Sequence, residues 1–166
     1  VFLHIQHPVH NFDLENIDEE ASYWLGYLMA DGCYTNTSKS ENNFRLMLEC
    51  KTEDKEILEK FCSYINIRPQ RITSGHNGAS VALSMTAKIF TTSLENYGIV
   101  PNKSHVEHNI PEVIKDNKLF FFQYLKGLID GDGTIHTHEG SYGVSLVDNS
   151  KNFVQELKIE LEKYLP

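Results

Sequence analysis

The chain has 166 residues, of which 40% are hydrophobic and 11% aromatic, so it is long enough for one large core or two small ones. Its formal net charge of −8 argues against a protein that coats nucleic acid along its whole surface, because phosphate binding depends largely on Lys and Arg. No apolar run is long enough to cross a membrane, and the first ten residues lack a signal-peptide pattern. We therefore expect an intracellular protein with no membrane partner.

The first predicted helix lies within "SYWLGYLMADGCY" (residues 22–34) and ends at the Asp-Gly pair in that stretch. A hairpin with its turn at "TNTSKSENN" leads into the strand "FRLMLECK", in which apolar and polar residues alternate. Thr52, followed by acids, is predicted to be the N-cap of a second helix. Another hairpin around "GHNG" and a helix ending near Tyr97 complete a unit of helix, two strands, helix, two strands, helix.

The second half of the chain repeats the start of this order. "FQYLKGLIDGDGTI" at 122–135 matches the first helix, "TIHTHEGSYGVSLV" predicts a hairpin, and a helix is expected from Asn149 or Ser150. The repeat stops where its third strand is expected, so we predict an incomplete second unit and a fragment of a longer protein; a naturally short protein is the alternative. The predicted boundaries are an N-terminal extension (1–17), a first unit (18–98), a linker (99–117) and a second unit (118–166).

Small residues lie four apart in both matched helices, at Gly26, Ala30, Gly127 and Gly131. Residues at this spacing share a helix face, so the two helices are predicted to pack closely through these positions. Gly32 and Gly133 follow the helices and are predicted to adopt the left-handed conformation that often ends a helix.

Asp31 and Asp132 then fall in the last turns of two touching helices. The carboxyl end of a helix already carries partial negative charge, so two carboxylates there cost stability unless a cation joins them. Hard Mg²⁺ suits such oxygen ligands, and metal ions held between acids and a phosphate promote phosphodiester hydrolysis. A plain Asp-Gly turn is the alternative. Asp130 matches Met29 in the first copy and is given no catalytic role.

The motifs of this chain resemble those of a known family. "LKGLIDGDG" (125–133) is similar to the signature of the LAGLIDADG, or dodecapeptide, homing endonucleases, and "WLGYLMADG" (24–32) resembles the looser first copy of two-motif members. "YGIVPNKSHVEHNIP" (97–111) resembles the lysine-containing block between the two motifs. The resemblance implies an α+β fold in which a pseudo-twofold pair of αββαββα units forms antiparallel, saddle-shaped sheets over double-stranded DNA, in a monomer.

The family's functional residues carry over onto matching positions. Asp31 and Asp132 would hold Mg²⁺ or Mn²⁺, Lys103 would act on the scissile phosphate or the attacking water, and Lys51 matches a polar residue near that water. A second catalytic lysine is expected beyond Pro166. The polar sheet faces supply candidate DNA contacts, which are Arg45, Lys51, Arg71, His136 and His138.

Two rival functions remain. A relative with the same fold that does not cut, either an RNA-splicing maturase or a DNA-binding regulator, would account for the acidic balance of the chain. A protein-interaction module would leave Lys103 and the acid-free stretch between Lys60 and Leu94 without a role.

Overall fold

The computed structural model describes residues 16–36, 44–85, 93–138 and 140–165. The helices are α1 (Glu19–Asp31), α2 (Lys55–Tyr64), α3 (Glu112–Lys115), α4 (Lys118–Asp132) and α5 (Lys151–Glu162). The strands are β1 (Cys33–Asn36), β2 (Phe44–Lys51), β3 (Ile72–Ser74), β4 (Ser80–Met85), β5 (Thr134–His138) and β6 (Ser141–Ser145). Most of the predicted N-terminal extension and the turn at "TNTSKSENN" lie outside these residues.

The strands form two antiparallel sheets, and the α+β fold class is confirmed. The first sheet has four strands in the order β1-β2-β4-β3, and the second is the hairpin β5–β6. The register is set by pairs such as Tyr34 with Leu46 and Ile135 with Val144. The segment α1-β1-β2-α2 is therefore matched by α4-β5-β6-α5, as expected from the repeat.

Local sequence explains where several elements begin and which faces they bury. Asp18 caps α1 by accepting a hydrogen bond from the Ala21 amide at 2.7 Å, and Ser150 caps α5 in the predicted position. Along β2 the alternation places Leu46 and Leu48 in the core, at 0% and 1% exposure.

Thr52 is not the N-cap of α2, contrary to the prediction. Its amide donates to the Ala79 carbonyl at 3.1 Å, and its hydroxyl donates to the Gly78 carbonyl at 2.6 Å. These bonds tie Thr52 to the turn between β3 and β4, so residues Thr52–Asp54 form a short 3₁₀ turn and α2 begins at Lys55. The prediction failed because the competing partners come from a distant hairpin.

A continuous apolar core joins both units. Helix α1 packs along α4, and Trp24 of α1 contacts the rings of Phe61 and Tyr64 of α2, stacking on the latter. Phe121, Tyr124 and Leu128 of α4 and Phe153 of α5 belong to the same buried cluster. None of the described helices is both long and apolar enough to cross a bilayer.

Candidate active site at the paired helix ends

Helices α1 and α4 approach each other so closely that their backbones touch. A methyl group added at Gly26 would lie 2.0 Å from the Tyr124 carbonyl oxygen, and one at Gly127 would lie 2.0 Å from that of Tyr23. Nearer the carboxyl ends, a methyl group at Gly131 would lie 2.5 Å from the Cβ of Ala30. The four small residues are thus brought together, with no space for larger side chains.

Gly32 and Gly133 end the two helices in the same way, but not in the predicted conformation. Their φ angles are −67° and −73°, which is extended backbone and not the left-handed region. A methyl group at Gly32 would lie 2.3 Å from the Leu28 carbonyl oxygen, and one at Gly133 would lie 2.4 Å from that of Ile129. Glycine is required here because the chain turns tightly over the helix end.

Asp31 and Asp132 lie close together at the ends of these helices, in different surroundings. Asp31 is half-buried, whereas Asp132 is exposed. Burial and, next, the charge of Asp132 raise the pKa of the Asp31 carboxyl above its ordinary value of 3.8. The ionised pair is therefore electrostatically strained, and a cation beside it would relieve that strain.

Two tyrosines that the sequence did not single out hold carboxylates at this contact. The Tyr27 hydroxyl donates a hydrogen bond to Asp31, which opposes the rise in the pKa of that carboxyl. The Tyr23 hydroxyl donates to Asp130 Oδ2 at 2.9 Å and so links α1 to α4. Tyr27 is four residues before Asp31, and that helical spacing was the available signal.

Lys103 reaches the same helix end from the linker. Its Nζ donates to the carbonyl oxygens of Met29 at 2.5 Å and Ala30 at 2.8 Å. Burial lowers the pKa of the Lys103 ammonium, while the nearby carboxylates of Asp132, Asp148 and Asp31 oppose that change. The structure therefore brings together three of the four predicted catalytic residues, Asp31, Asp132 and Lys103.

Lys51 lines a cleft of about 1170 Å³ that also includes Asp31. Its ammonium is exposed and lies 3.8 Å from Glu53. The lining contains three lysines, Lys51, Lys60 and Lys126, against eight acids, which are Glu19, Glu20, Asp31, Glu49, Glu53, Asp54, Glu56 and Asp130. Without counter-ions this cleft repels phosphate.

Apart from Lys51, which lines the cleft, the predicted DNA contacts are spread over the strands and the turn before β3. Arg45 is exposed on β2 and donates to the Ser84 hydroxyl on neighbouring β4. Arg71 ends a 3₁₀ turn just before β3, and His136 is exposed on β5 with its ring over Gly143. His138 ends β5, and its side chain lies outside the described residues.

The pair of carboxylates suits a divalent cation that brings other ligands with it. Within the described residues, no group of three or more His, Cys, Asp or Glu side chains could hold a metal ion by itself. Mg²⁺ keeps several waters and is commonly held by one or two carboxylates plus substrate phosphates, so Asp31 and Asp132 fit that ion. Such an ion would also reduce the repulsion from Asp132, which after burial is the second cause of the raised pKa of Asp31.

A solved homing endonuclease shares the fold of this chain at low sequence identity. The chain is similar to mesophilic variants of the homing endonuclease I-DmoI, with a TM-score of 0.57, 14% identity, and coverage of 87% of this chain and 72% of that one. It is also similar to the LAGLIDADG meganuclease I-AabMI bound to uncleaved DNA, with a TM-score of 0.46, 13% identity, and coverage of 77% of this chain and 64% of that one. The chain thus spans less than two thirds of the length of I-AabMI.

A family model locates the similarity in the second unit. Residues 120–164 match the model of the LAGLIDADG-like domain. No curated protein sequence matches the chain. The domain match confirms the family resemblance for the second motif, and the fold shared with the I-DmoI variants extends over 87% of the chain. Residues 120–164 therefore form a LAGLIDADG-like domain, within a chain that has the fold of the LAGLIDADG homing endonucleases.

Proposed function

We propose that this chain belongs to a site-specific endonuclease that hydrolyses phosphodiester bonds of double-stranded DNA with a divalent metal, Mg²⁺ or Mn²⁺. The observation that carries the proposal is the meeting of Asp31 and Asp132 at the abutting ends of α1 and α4. A fold without such a function would gain stability from neutral side chains at both positions.

In this proposal Asp31 and Asp132 hold the metal, which supplies activation of water and stabilisation of the leaving oxygen. Lys103 contributes positive charge beside both carboxylates, and Lys51 lines the same cleft as Asp31. Arg45, Arg71, His136 and His138 are the proposed contacts of the sheets with duplex DNA, in a monomer that uses its internal repeat. A mobile intron or intein is the proposed genetic setting.

A selection on DNA tests this proposal. The full-length protein is incubated with a library of randomised duplexes and Mg²⁺, and the cut ends are sequenced to find the target. We expect cleavage by the wild type that EDTA abolishes. Because stabilisation by a metal ion is worth several kcal/mol, Asp31→Asn and Asp132→Asn should each lower the rate by about a thousandfold.

Asp130→Asn is the matched control. This acid lies two residues before Asp132, faces Tyr23, and can still accept the tyrosine hydrogen bond after the substitution. It should cut at the wild-type rate. Cleavage that survives in Asp132→Asn, or is lost equally in Asp130→Asn, contradicts the proposal.

A non-cutting relative is the second candidate, favoured by the acidic lining of the cleft and the net charge of −8. Such a protein would bind DNA as a regulator, or structured intron RNA as a maturase, without needing both carboxylates. Specific binding with no cleavage in Mg²⁺ or Mn²⁺, unchanged in Asp132→Asn, would support this candidate. Preference for RNA over duplex DNA would then separate the maturase from the regulator.

A further inference from the structure

Lys103 reaches α1 because the linker reverses direction just before it. Asn102 has a φ of +58°, a left-handed conformation that asparagine tolerates better than most residues. The short 3₁₀ turn Lys103–His105 follows, and from it the half-buried Lys103 side chain extends to the end of α1. The position of the ammonium is therefore set by the backbone of the linker.

The two carbonyl groups that Lys103 binds are those that α1 itself leaves without partners. The Gly32 amide donates to the Leu28 carbonyl at 3.0 Å and closes the last backbone bond of the helix. Met29 and Ala30 follow Leu28, and their carbonyls accept from Lys103 instead. Since α1 has no basic residue in its last turn, Lys103 also supplies the cation that the helix dipole favours there.

Helix α4 ends differently, although its backbone repeats the pattern. The Gly133 amide donates to the Ile129 carbonyl at 2.9 Å, as Gly32 does to Leu28. The next carbonyls, those of Asp130 and Gly131, accept no side-chain hydrogen bond from any residue in the described ranges. Of these two helix ends, the one that carries Asp31 is bonded by a lysine side chain, and among the described residues the end of α4 is not.

We propose that Lys103 is a positioning residue for Asp31, which it holds in place through the last-turn carbonyls of α1 and not by contact with the scissile phosphate. The inference rests on the proposed function for its catalytic consequence, and on the two hydrogen bonds for its structural part. It makes the linker a component of the first half of the site.

Hydrogen exchange of two matched amides tests the structural part in the full-length protein. Lys103→Met keeps the length of the side chain but removes its charge and donors. Because a hydrogen bond from a charged group contributes more than a neutral one, exchange of the Gly32 amide should become about tenfold faster. Exchange of the Gly133 amide should change less than about twofold. Equal effects on both amides, or none on Gly32, would overturn the proposal.

Lys115→Met is the control for removing a buried lysine. Lys115 forms ion pairs with Glu156 at 3.2 Å and Glu112 at 2.7 Å, its side chain is 12% exposed, and it belongs to α3 and not to the turn Lys103–His105. It should leave the exchange of Gly32 and the cleavage rate unchanged. Lys103→Ala, which also removes the charge and the donors, is a second variant for the case that Lys103→Met does not fold, and it carries the same expectation.

Cleavage of the selected DNA target tests the catalytic part. Lys103→Met should lower kcat, and Lys103→Arg, which can donate to both carbonyls, should restore both kcat and the slow exchange of Gly32. A loss of kcat with unchanged Gly32 exchange would assign Lys103 to direct contact with the phosphate and overturn the proposal, as would faster exchange with unchanged kcat. If the wild type does not cut DNA, the proposed function fails, and the exchange of Gly32 still decides whether Lys103 holds α1.

Discussion

Asp31 and Asp132 occupy matching positions in the repeat, and single substitutions nearby make their environments unequal. Tyr27 precedes Asp31 by one helical turn and donates to it, whereas Leu128, at the same place in α4, has no group to donate. Asp31 is half-buried and Asp132 is exposed. At the scale of residues, the two halves therefore share a backbone arrangement, but the side chains around their two carboxylates differ.

The raised pKa of Asp31 leads to a prediction about stability and pH. A carboxyl whose pKa is higher in the folded state than in the unfolded state stabilises the fold below its unfolded pKa, and that contribution is lost as the pH rises through the folded pKa. The free energy of unfolding of the wild type, relative to Asp31→Asn, should thus fall as the pH rises from 3.8. Urea denaturation of both proteins between about pH 3.5 and 7 measures the difference. A relative stability that rises with pH would contradict the prediction.

The sequence predicted the two acids and Lys103 as site residues, and the structure brings these three together. It did not reveal what Lys103 touches, because hydrogen bonds to backbone carbonyls leave no trace in the identity of the acceptor residues. Lys51 was also predicted, and only the fold shows how acidic its surroundings are.

At the scale of elements, the contact between α1 and α4 depends on the absence of side chains. Gly26 and Gly127 each face a carbonyl oxygen of the opposite helix, so the two backbones contact each other directly. That contact keeps the helix ends, and with them Asp31 and Asp132, within electrostatic reach.

Gly127→Ala tests this contact. The new methyl group would lie 2.0 Å from the Tyr23 carbonyl oxygen and 2.6 Å from the Tyr27 amide nitrogen, so the helices must separate. Overpacking of this kind costs about 3 kcal/mol of unfolding free energy, measured by urea denaturation. In the control Gly143→Ala, the three atoms nearest to the new methyl group all belong to the movable ring of His136, and we expect a change within about 1 kcal/mol. Similar costs for the two variants would argue against close helix packing.

At the scale of the whole molecule, the two matched hairpins differ in how far they are buried. Tyr34 and Leu46 form a pair in β1–β2 and are 2% and 0% exposed. Ile135 and Val144 form the matching pair in β5–β6 and are 69% and 53% exposed. The first pair has β4 beside it and Glu95 bonded to Tyr34, whereas the described residues place no strand beside β6.

Alanine at matched positions measures this difference. Leu46→Ala leaves a cavity in the core and should lower the unfolding free energy by about 2–5 kcal/mol. Val144→Ala removes a side chain that is already half in solvent and should change it by less than about 0.5 kcal/mol. Thermal or urea unfolding of the wild type and the two variants measures these changes in unfolding free energy. A large cost for Val144→Ala would mean that another surface covers β5–β6.

The sequence by itself determined the elements, the repeat and the positions of the two acids, because alternation, helical spacing and Asp-Gly endings are local properties that each half displays. Tertiary structure alone decided the hydrogen-bond partners of Thr52 and the extended conformation of Gly32. It also decided the hydrogen bonds from Lys103 to α1 and the different environments of Asp31 and Asp132. The contacts of Thr52, Lys103 and Asp31 each depend on a group that is distant along the chain and close in space. Burial changes the energy of such a hydrogen bond or charge only once that neighbour is in place.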